Sequence, residues 1–404
     1  MTFVIRSNEV RRGNRGLVLS AVRRGALLSR TDIGARTGLS AATVSAITSD
    51  LIADGFLVQA SDTNSASPGR GRPKVALSIN PDAALIGVVI FQLNFVSATI
   101  LDYAGTTIAE NSEEFVSAEL TPSEISQTLI DCLQEALTTS GVGDRKLMRI
   151  AVGVQGVTDV AATTMLWSPI TAHRELKIAE WLSEEFNVPT TVSNDCDLMA
   201  RALNWRDPER YGESFAGIML SYGVGMGLFL RGSLVQGLNT SGTEFGHMVF
   251  RPGGALCRCG RRGCVEAYAG DYAISRAAAG LPEDAAPREP SEYIDFDAII
   301  AAARKGEPAA ANAIQTAGKA IGTGLVSLFA LVDTFPIALI GRGTTAFDLM
   351  EKPIRETLAQ NVAGGDMTEI DIDCFENEKP LVREGCAITA LLVLDEEIAD
   401  AIVV

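Results

Sequence analysis

The chain has 404 residues, 47% of them apolar, with seven cysteines and a formal net charge of −16. That length and apolar content suit two or three domains with full cores and exclude a disordered or fibrous chain. The longest apolar run, residues 85–91, falls far short of a bilayer span, and the opening MTFVIRSNEVRRG has no long apolar segment, so the expectation is a cytoplasmic protein with no membrane partner.

The charge is unevenly spread. Residues 1–80 hold eleven Arg or Lys against five Asp or Glu, a net of +6, which leaves −22 on the remainder. Only the first segment can attract a polyanion such as nucleic acid, because the rest repels phosphate. In chain order, residues 10–24 read as a helix in which Leu17, Val18 and Val22 alternate with arginines. A short helix near 29–37, a turn at Gly38-Leu39-Ser40 and a helix over 41–54 follow, with Ser40 as N-cap. Val44, Ile47 and Leu51 recur at helical spacing and face inward, which leaves Ala42, Thr43, Ser45 and Ser49 outside. This is a helix-turn-helix pattern whose second helix is free to enter a major groove.

Residues 57–60 and 74–79 can pair as two strands around a loop holding Pro68-Gly69-Arg70-Gly71-Arg72-Pro73. Residues 1–80 therefore resemble a winged helix-turn-helix domain, with Arg70 and Arg72 on the wing. The candidate contacts to double-stranded DNA are Ser40, Ala42, Thr43, Ser45, Ser49, Arg70 and Arg72. A plain three-helix packing unit with a basic linker is the competing reading, and turn spacing and charge weigh against it. Direct base readout is thin. Small Ser, Thr and Ala side chains can touch thymine methyls but cannot make bidentate contacts.

From residue 81 the pattern changes. Strands over 85–92, 96–101 and 106–109 precede a helix opened by Thr121-Pro122-Ser123-Glu124, a capping box with proline at its first position. Strand 150–154, helix 178–186, strand 190–193 and helix 196–205 continue the alternation, and the cycle begins again after Phe215. The second cycle runs through strands 215–220 and 227–230, a long helix over 308–329, strand 337–340 and a last helix after Val382. Such alternation implies an α/β sheet in each half. Asn194 and Asp195 end one strand and begin a helix, a place where polar groups either cap the helix or meet a ligand at the sheet's carboxyl edge.

One stretch, residues 242–268, carries the densest chemistry. It reads GTEFGHMVFRPGGALCRCGRRGCVEAY and gathers His247, Cys257, Cys259 and Cys264 within eighteen residues. One imidazole and three thiolates make a closed tetrahedral zinc set with no position for a catalytic water. The alternative, ordinary buried thiols and a core histidine, fits poorly with flanking glycines and arginines. Glu244 and Glu266 bracket the cluster, and carboxylates beside a fixed imidazole suit the hydroxyls of a polyol.

The run Glu-Phe-Gly-His followed by Cys-Arg-Cys-Gly-Arg-Arg-Gly-Cys-Val-Glu-Ala-Tyr resembles the signature of the ROK family of bacterial sugar kinases and sugar-responsive transcriptional repressors. The resemblance implies an actin-like, ribonuclease-H-like body of two lobes over 81–404: lobe one about 81–195 plus the C-terminal helix, lobe two about 196–385 with the zinc site. It implies one structural zinc on His247, Cys257, Cys259 and Cys264. It also implies sugar contacts at Asn194, Asp195, Glu244, His247 and Glu266, with Asp195 where the kinases keep their catalytic base.

The kinase pattern is broken elsewhere. Where ROK kinases carry Asp-x-Gly-Gly-Thr, this chain reads Val89-Ile90-Phe91-Gln92-Leu93-Asn94, and their adjacent glycines in a later phosphate loop are replaced by Gly341-Arg342-Gly343-Thr344. Phosphoryl transfer rests on positioning phosphate and metal, so these losses outweigh the retained Asp195. The expectation is a sugar-responsive regulator, not an enzyme, that acts as a homodimer or homotetramer on a DNA operator; the rival is an active ATP-dependent sugar kinase with a DNA-binding head.

Overall fold

The computed structural model describes residues 7–25, 27–60, 75–143, 145–287, 294–360 and 369–400. In the head, α1 (Ser7–Gly25), α2 (Arg30–Thr37) and α3 (Ala41–Ala53) pack over a small antiparallel sheet of β1 (Leu28–Ser29), β2 (Leu57–Ala60) and β3 (Ala76–Ile79), in the order β1-β3-β2. Ser29 and Asp32 close a capping box on α2, and Gly38 ends that helix with φ 71°, a left-handed turn that favours glycine. Ser40 then caps α3 by accepting from the Thr43 amide. Val44, Ile47 and Leu51 are buried while Ser40, Ala42, Ser45 and Ser49 are exposed and Thr43 half-exposed, as the spacing predicts. Arg70 and Arg72 lie outside the described residues.

Two features of the head depart from the sequence reading. Leu17 is half exposed, because the inward stripe of α1 is Val18, Leu19 and Val22. Strand β1 is new: two residues pair with β3, Leu28 opposite Leu77, and tie the helix-turn-helix to the wing strands.

The body repeats one topology twice. In lobe one, β4 (Leu85–Gln92), β5 (Phe95–Asp102) and β6 (Thr107–Glu114) form an antiparallel meander. Helix α4 (Pro122–Ser140) leads to β7 (Leu147–Val154), parallel to β4; the small pair β8 (Val157–Thr158) and β9 (Met165–Trp167), then α5 (Ile178–Phe186), lead to β10 (Thr190–Asn194), parallel to β7. Helices α6 (Asp195–Arg206) and α7 (Pro208–Tyr211) cross to lobe two. There β11 (Phe215–Leu220), β12 (Val224–Leu230) and β13 (Ser233–Leu234) are again antiparallel. Helices α8 (Glu266–Ala269), α9 (Asp271–Ala278), α10 (Phe296–Arg304) and α11 (Pro308–Val332) precede β14 (Ile337–Ile340), parallel to β11, and α12 (Phe347–Ala359) precedes β15 (Ile372–Phe375). The orders β6-β5-β4-β7-β10 and β13-β12-β11-β14-β15 are the same motif, which is why the sequence alternation restarts at Phe215. Helix α11 is long and apolar enough to cross a bilayer by composition, but it lies against α9, α10 and α12, with Ile314, Ile321 and Leu325 fully buried.

Helix α13 (Lys379–Asp400) returns to lobe one and packs on β4, β7, α6 and α1. Contact with α6 is close enough that a Cβ on Gly385 would lie 1.8 Å from the Leu198 carbonyl, so only glycine fits. The same helix seats the head. Arg23 of α1 donates to both oxygens of Asp395 at 2.6 and 2.8 Å and to the Tyr103 carbonyl at 2.9 Å, and the Tyr103 hydroxyl donates to Asp395 at 2.5 Å. An ion pair buried this deeply persists only when its hydrogen bonds are nearly all made, as they are here.

Candidate functional site

The five polar residues singled out in the sequence converge. Asn194, Asp195, Glu244, His247 and Glu266 line one cleft between the lobes, walled by Gln155, Trp167 and the Gly223–Met226 stretch of β12 and its turn. Lobe one delivers the first two. Strand β10 ends at Asn194, whose side chain accepts from the Cys196 and Asp197 amides and so caps α6, while its Nδ2 donates to the Gly156 carbonyl and to Asp195. Helix cap and cleft residue are therefore the same side chain.

Asp195 is 2% exposed. One carboxylate oxygen accepts from the Cys196 amide at 2.9 Å, and the other, Oδ2, is buried with no hydrogen-bond partner. Burial pushes its pKa up to about 7, with the Glu378 charge adding to the rise. A buried acceptor left open in a polar cleft is a place for a ligand hydroxyl.

Lobe two supplies the rest. Gly242 and Thr243 both take positive φ, 76° and 53°, in a turn where a Cβ on Gly242 would sit 2.6 Å from the Gly237 nitrogen. That strain at a β-branched threonine is held by its hydroxyl donating to the Met226 carbonyl at 2.7 Å, and it sets Glu244 and His247 on the cleft rim. Glu266 starts α8, is 7% exposed and accepts from the Val224 amide, which fixes its carboxylate against the floor.

His247 faces both ways. Its Nδ1 lies 3.7 Å from Cys257 Sγ, while its Nε2 points to Glu244 at 3.6 Å; Trp167 closes on the ring edge with centroids 6.4 Å apart. Behind it, the ligand atoms of His247, Cys257, Cys259 and Cys264 all lie within 4.8 Å of one another. Cys259 and Cys264 Sγ are 3.8 Å apart, the edge of a tetrahedron with metal–sulfur bonds of about 2.3 Å. The donor set can hold a metal ion, and an ion on Nδ1 leaves Nε2 protonated as a donor toward the cleft. Gly263 makes the cradle possible: at φ 82°, its Cβ position would fall 1.8 Å from the Arg251 carbonyl.

At the neighbouring hairpin the backbone amides have partners within the chain. Between β4 and β5, the Leu93 amide donates to Gln155 Oε1 at 3.1 Å and the Asn94 amide to the Ser117 hydroxyl at 3.4 Å, while Asn94 Oδ1 accepts from Ser117. Backbone donors at this hairpin are thus used within the chain. In the second loop, Arg342 turns away to the Ile294 carbonyl and the Phe296 ring, and Gly341 and Gly343 press on Leu220. Glu378 adds a carboxylate near both Asp195 and Asp271, a charge that repels phosphate.

Gln155, Trp167 and Thr243 are cleft residues that sequence reasoning missed, as is Glu378, whose charge acts on Asp195 from outside the lining. None carries a local signal, since each reaches the site through a turn or a neighbouring lobe.

Known proteins of the same build fit this geometry. The ROK family model matches residues 96–378. The chain is 25% identical to the xylose repressor of Caldicellulosiruptor bescii over 92% of this chain and 94% of that one, and 25% identical to the transcriptional dual regulator NagC of Escherichia coli over 88% and 84%. Among solved structures, a ROK family transcriptional regulator described as a homolog of E. coli MLC aligns with TM-score 0.79 at 20% identity over 97% of this chain and 99% of that one. A ROK glucokinase from Streptomyces griseus aligns with TM-score 0.59 at 22% identity over 76% of this chain and 99% of that one. With the family model spanning most of the body, the chain belongs to the ROK family.

Proposed function

We propose that the chain is a sugar-responsive transcriptional regulator, a repressor by its kinship with named repressors, that binds a sugar or sugar derivative without phosphorylating it. One observation carries the reading: the cleft keeps its polar set, with Asp195 Oδ2 buried and open, while the adjoining hairpin amides are taken by Gln155 and Ser117. A kinase needs both ends of that cleft, since phosphoryl transfer is mostly positioning and charge neutralisation. Binding needs only the first.

In this reading Asp195 and Glu266 accept from sugar hydroxyls, Asn194 orients Asp195, and His247 donates through Nε2 beside Glu244. Zinc on His247, Cys257, Cys259 and Cys264 has a structural role, one per chain: its chemistry is to fix the imidazole's tautomer and tilt, with no open position for water. The exposed face of α3, with Ser40, Ala42, Thr43, Ser45 and Ser49, meets the major groove, and the wing carries Arg70 and Arg72 to the minor groove. Two heads are needed to span successive half-sites, which implies a homodimer or homotetramer in the cytoplasm, where the operator is.

The names of relatives, the xylose repressor and an N-acetylglucosamine repressor of Escherichia coli O6:H1, set the first ligands to try, xylose and N-acetylglucosamine. A thermal-shift panel of free, N-acetylated and phosphorylated sugars, read with and without operator DNA, tests the proposal. At least one sugar raises the melting temperature saturably and changes DNA affinity; a panel with no stabilising sugar would sink the reading.

A further inference from the structure

A second polar cavity, of about 290 Å³, opens where the head meets the body. Arg24 reaches in from α1, and Arg201, Asn204 and Trp205 come from α6; Ser233 and Gln236 close the far side. The Arg24 guanidinium lies 4.3 Å above the Trp205 ring. Among the described residues neither Arg24 nor Arg201 has a hydrogen-bond or ion-pair partner, although Arg23, next to Arg24 at the junction, is fully engaged.

Charge makes this unusual. Partial burial lowers the pKa of both guanidinium groups, and for Arg201 the charges of Asp197 and Glu396 offset only part of the desolvation. The carboxylates nearest Arg201 are Asp197 and Glu396, and Asp197 is itself so buried that its pKa rises to about 8, which leaves it largely neutral. Two planar, fork-shaped donors therefore line one cavity, and among the described residues no carboxylate is hydrogen-bonded to either. Phosphate oxygens match that fork and charge, and the indole offers a flat wall for the body of a small molecule.

We propose that this cavity is a second effector site, at which Arg24 of the head and Arg201 of the body clamp the phosphate group of a small phosphorylated metabolite. The ligand would tie α1 to α6. Helix α6 is twelve residues long, about 18 Å, and its first turn holds Asp195 in the sugar cleft. Two effectors would thus act at opposite ends of one helix, and the second would set how firmly the head is held.

Equilibrium dialysis and thermal shift of the full chain, at constant ionic strength in chloride, test the site with inorganic phosphate and glucose 6-phosphate as probes. The expected result is saturable binding at one site per chain, weakened at least tenfold in both Arg24→Gln and Arg201→Gln. Arg24 sits on the surface, so R24Q should melt like the wild type in phosphate-free buffer, which separates a lost site from a lost fold. A tighter fit for the ester than for free phosphate identifies a metabolite, and equal affinity identifies the ion itself; either confirms the clamp. Absence of saturable binding, or binding unchanged in both variants, overturns it.

Discussion

The two ends of the interlobe cleft make opposite use of the same kind of backbone. At the end proposed to hold the sugar, Asn194 uses its carbonyl oxygen on the α6 cap, and Asp195 Oδ2 is buried and open. At the other end, a tight hairpin has its Leu93 and Asn94 amides taken by Gln155 and Ser117. An unmade hydrogen bond in a buried cleft marks a place for a ligand, whereas amides already bonded within the chain are not free to hold a phosphate. That contrast separates binding from catalysis within one fold.

The largest test of the sugar end removes its foundation. Cys259→Ser should lower bound metal from about one ion per chain to near zero in metal analysis, since three donors no longer close the tetrahedron. With the imidazole freed, sugar-induced stabilisation should vanish as well. Retention of a full equivalent of metal would show that the four residues are not the ligand set.

A narrower test leaves the metal and removes one acceptor. Glu266→Ala should abolish the ligand-induced shift, a loss of about 2.7 kcal/mol at a ligand concentration a hundredfold above Kd, while DNA affinity without sugar stays within about twofold. Differential scanning fluorimetry and DNA titration read the two arms. Undiminished stabilisation in E266A would remove Glu266 from the site.

Protonation sharpens the contrast further. Asp195, Asp197 and Asp271 have pKa values raised by burial to about 7, 8 and 6, so the folded chain holds protons that the unfolded chain releases near pH 4. The contribution of these groups is therefore favourable at low pH and is lost as pH rises from about 4 toward 8. Asp195→Asn should raise stability at pH 8 by on the order of 2 kcal/mol and flatten that fall, yet abolish the sugar response. Chemical denaturation across pH checks the sign; a variant less stable than the wild type at pH 8 contradicts it.

The smallest effect belongs to the wing. Replacing Arg70 and Arg72 with alanine should flatten the salt dependence of DNA binding by about one unit of slope per lost phosphate contact. It should also erase any preference for A·T over G·C flanks, because arginine in a narrow minor groove is the A·T reader. Titrations on operators differing only in their flanks decide this, and a preference that survives in the double variant assigns readout to α3.

Legibility of the molecule followed the range of its interactions. The capping box at Thr121–Glu124, the glycine turn at Gly38 and the inward stripe Val44, Ile47 and Leu51 are local, and the fold shows them where the spacing put them. The cysteine cluster was legible because its four ligands lie in one short loop. Gln155 and Glu378 were not, since each meets its partners across scores of residues, as does the Arg23–Asp395–Tyr103 seat of the head. Strand β1 escaped because two residues have no periodicity to read.

The central claim is that this cleft binds a sugar and transfers nothing to it. The most direct test measures ADP release by the full chain with ATP, magnesium and the sugar that stabilises it most in the thermal panel. The account predicts saturable stabilisation with no sugar-dependent ADP above background; turnover at ordinary kinase rates, about 1 to 100 per second, would contradict it.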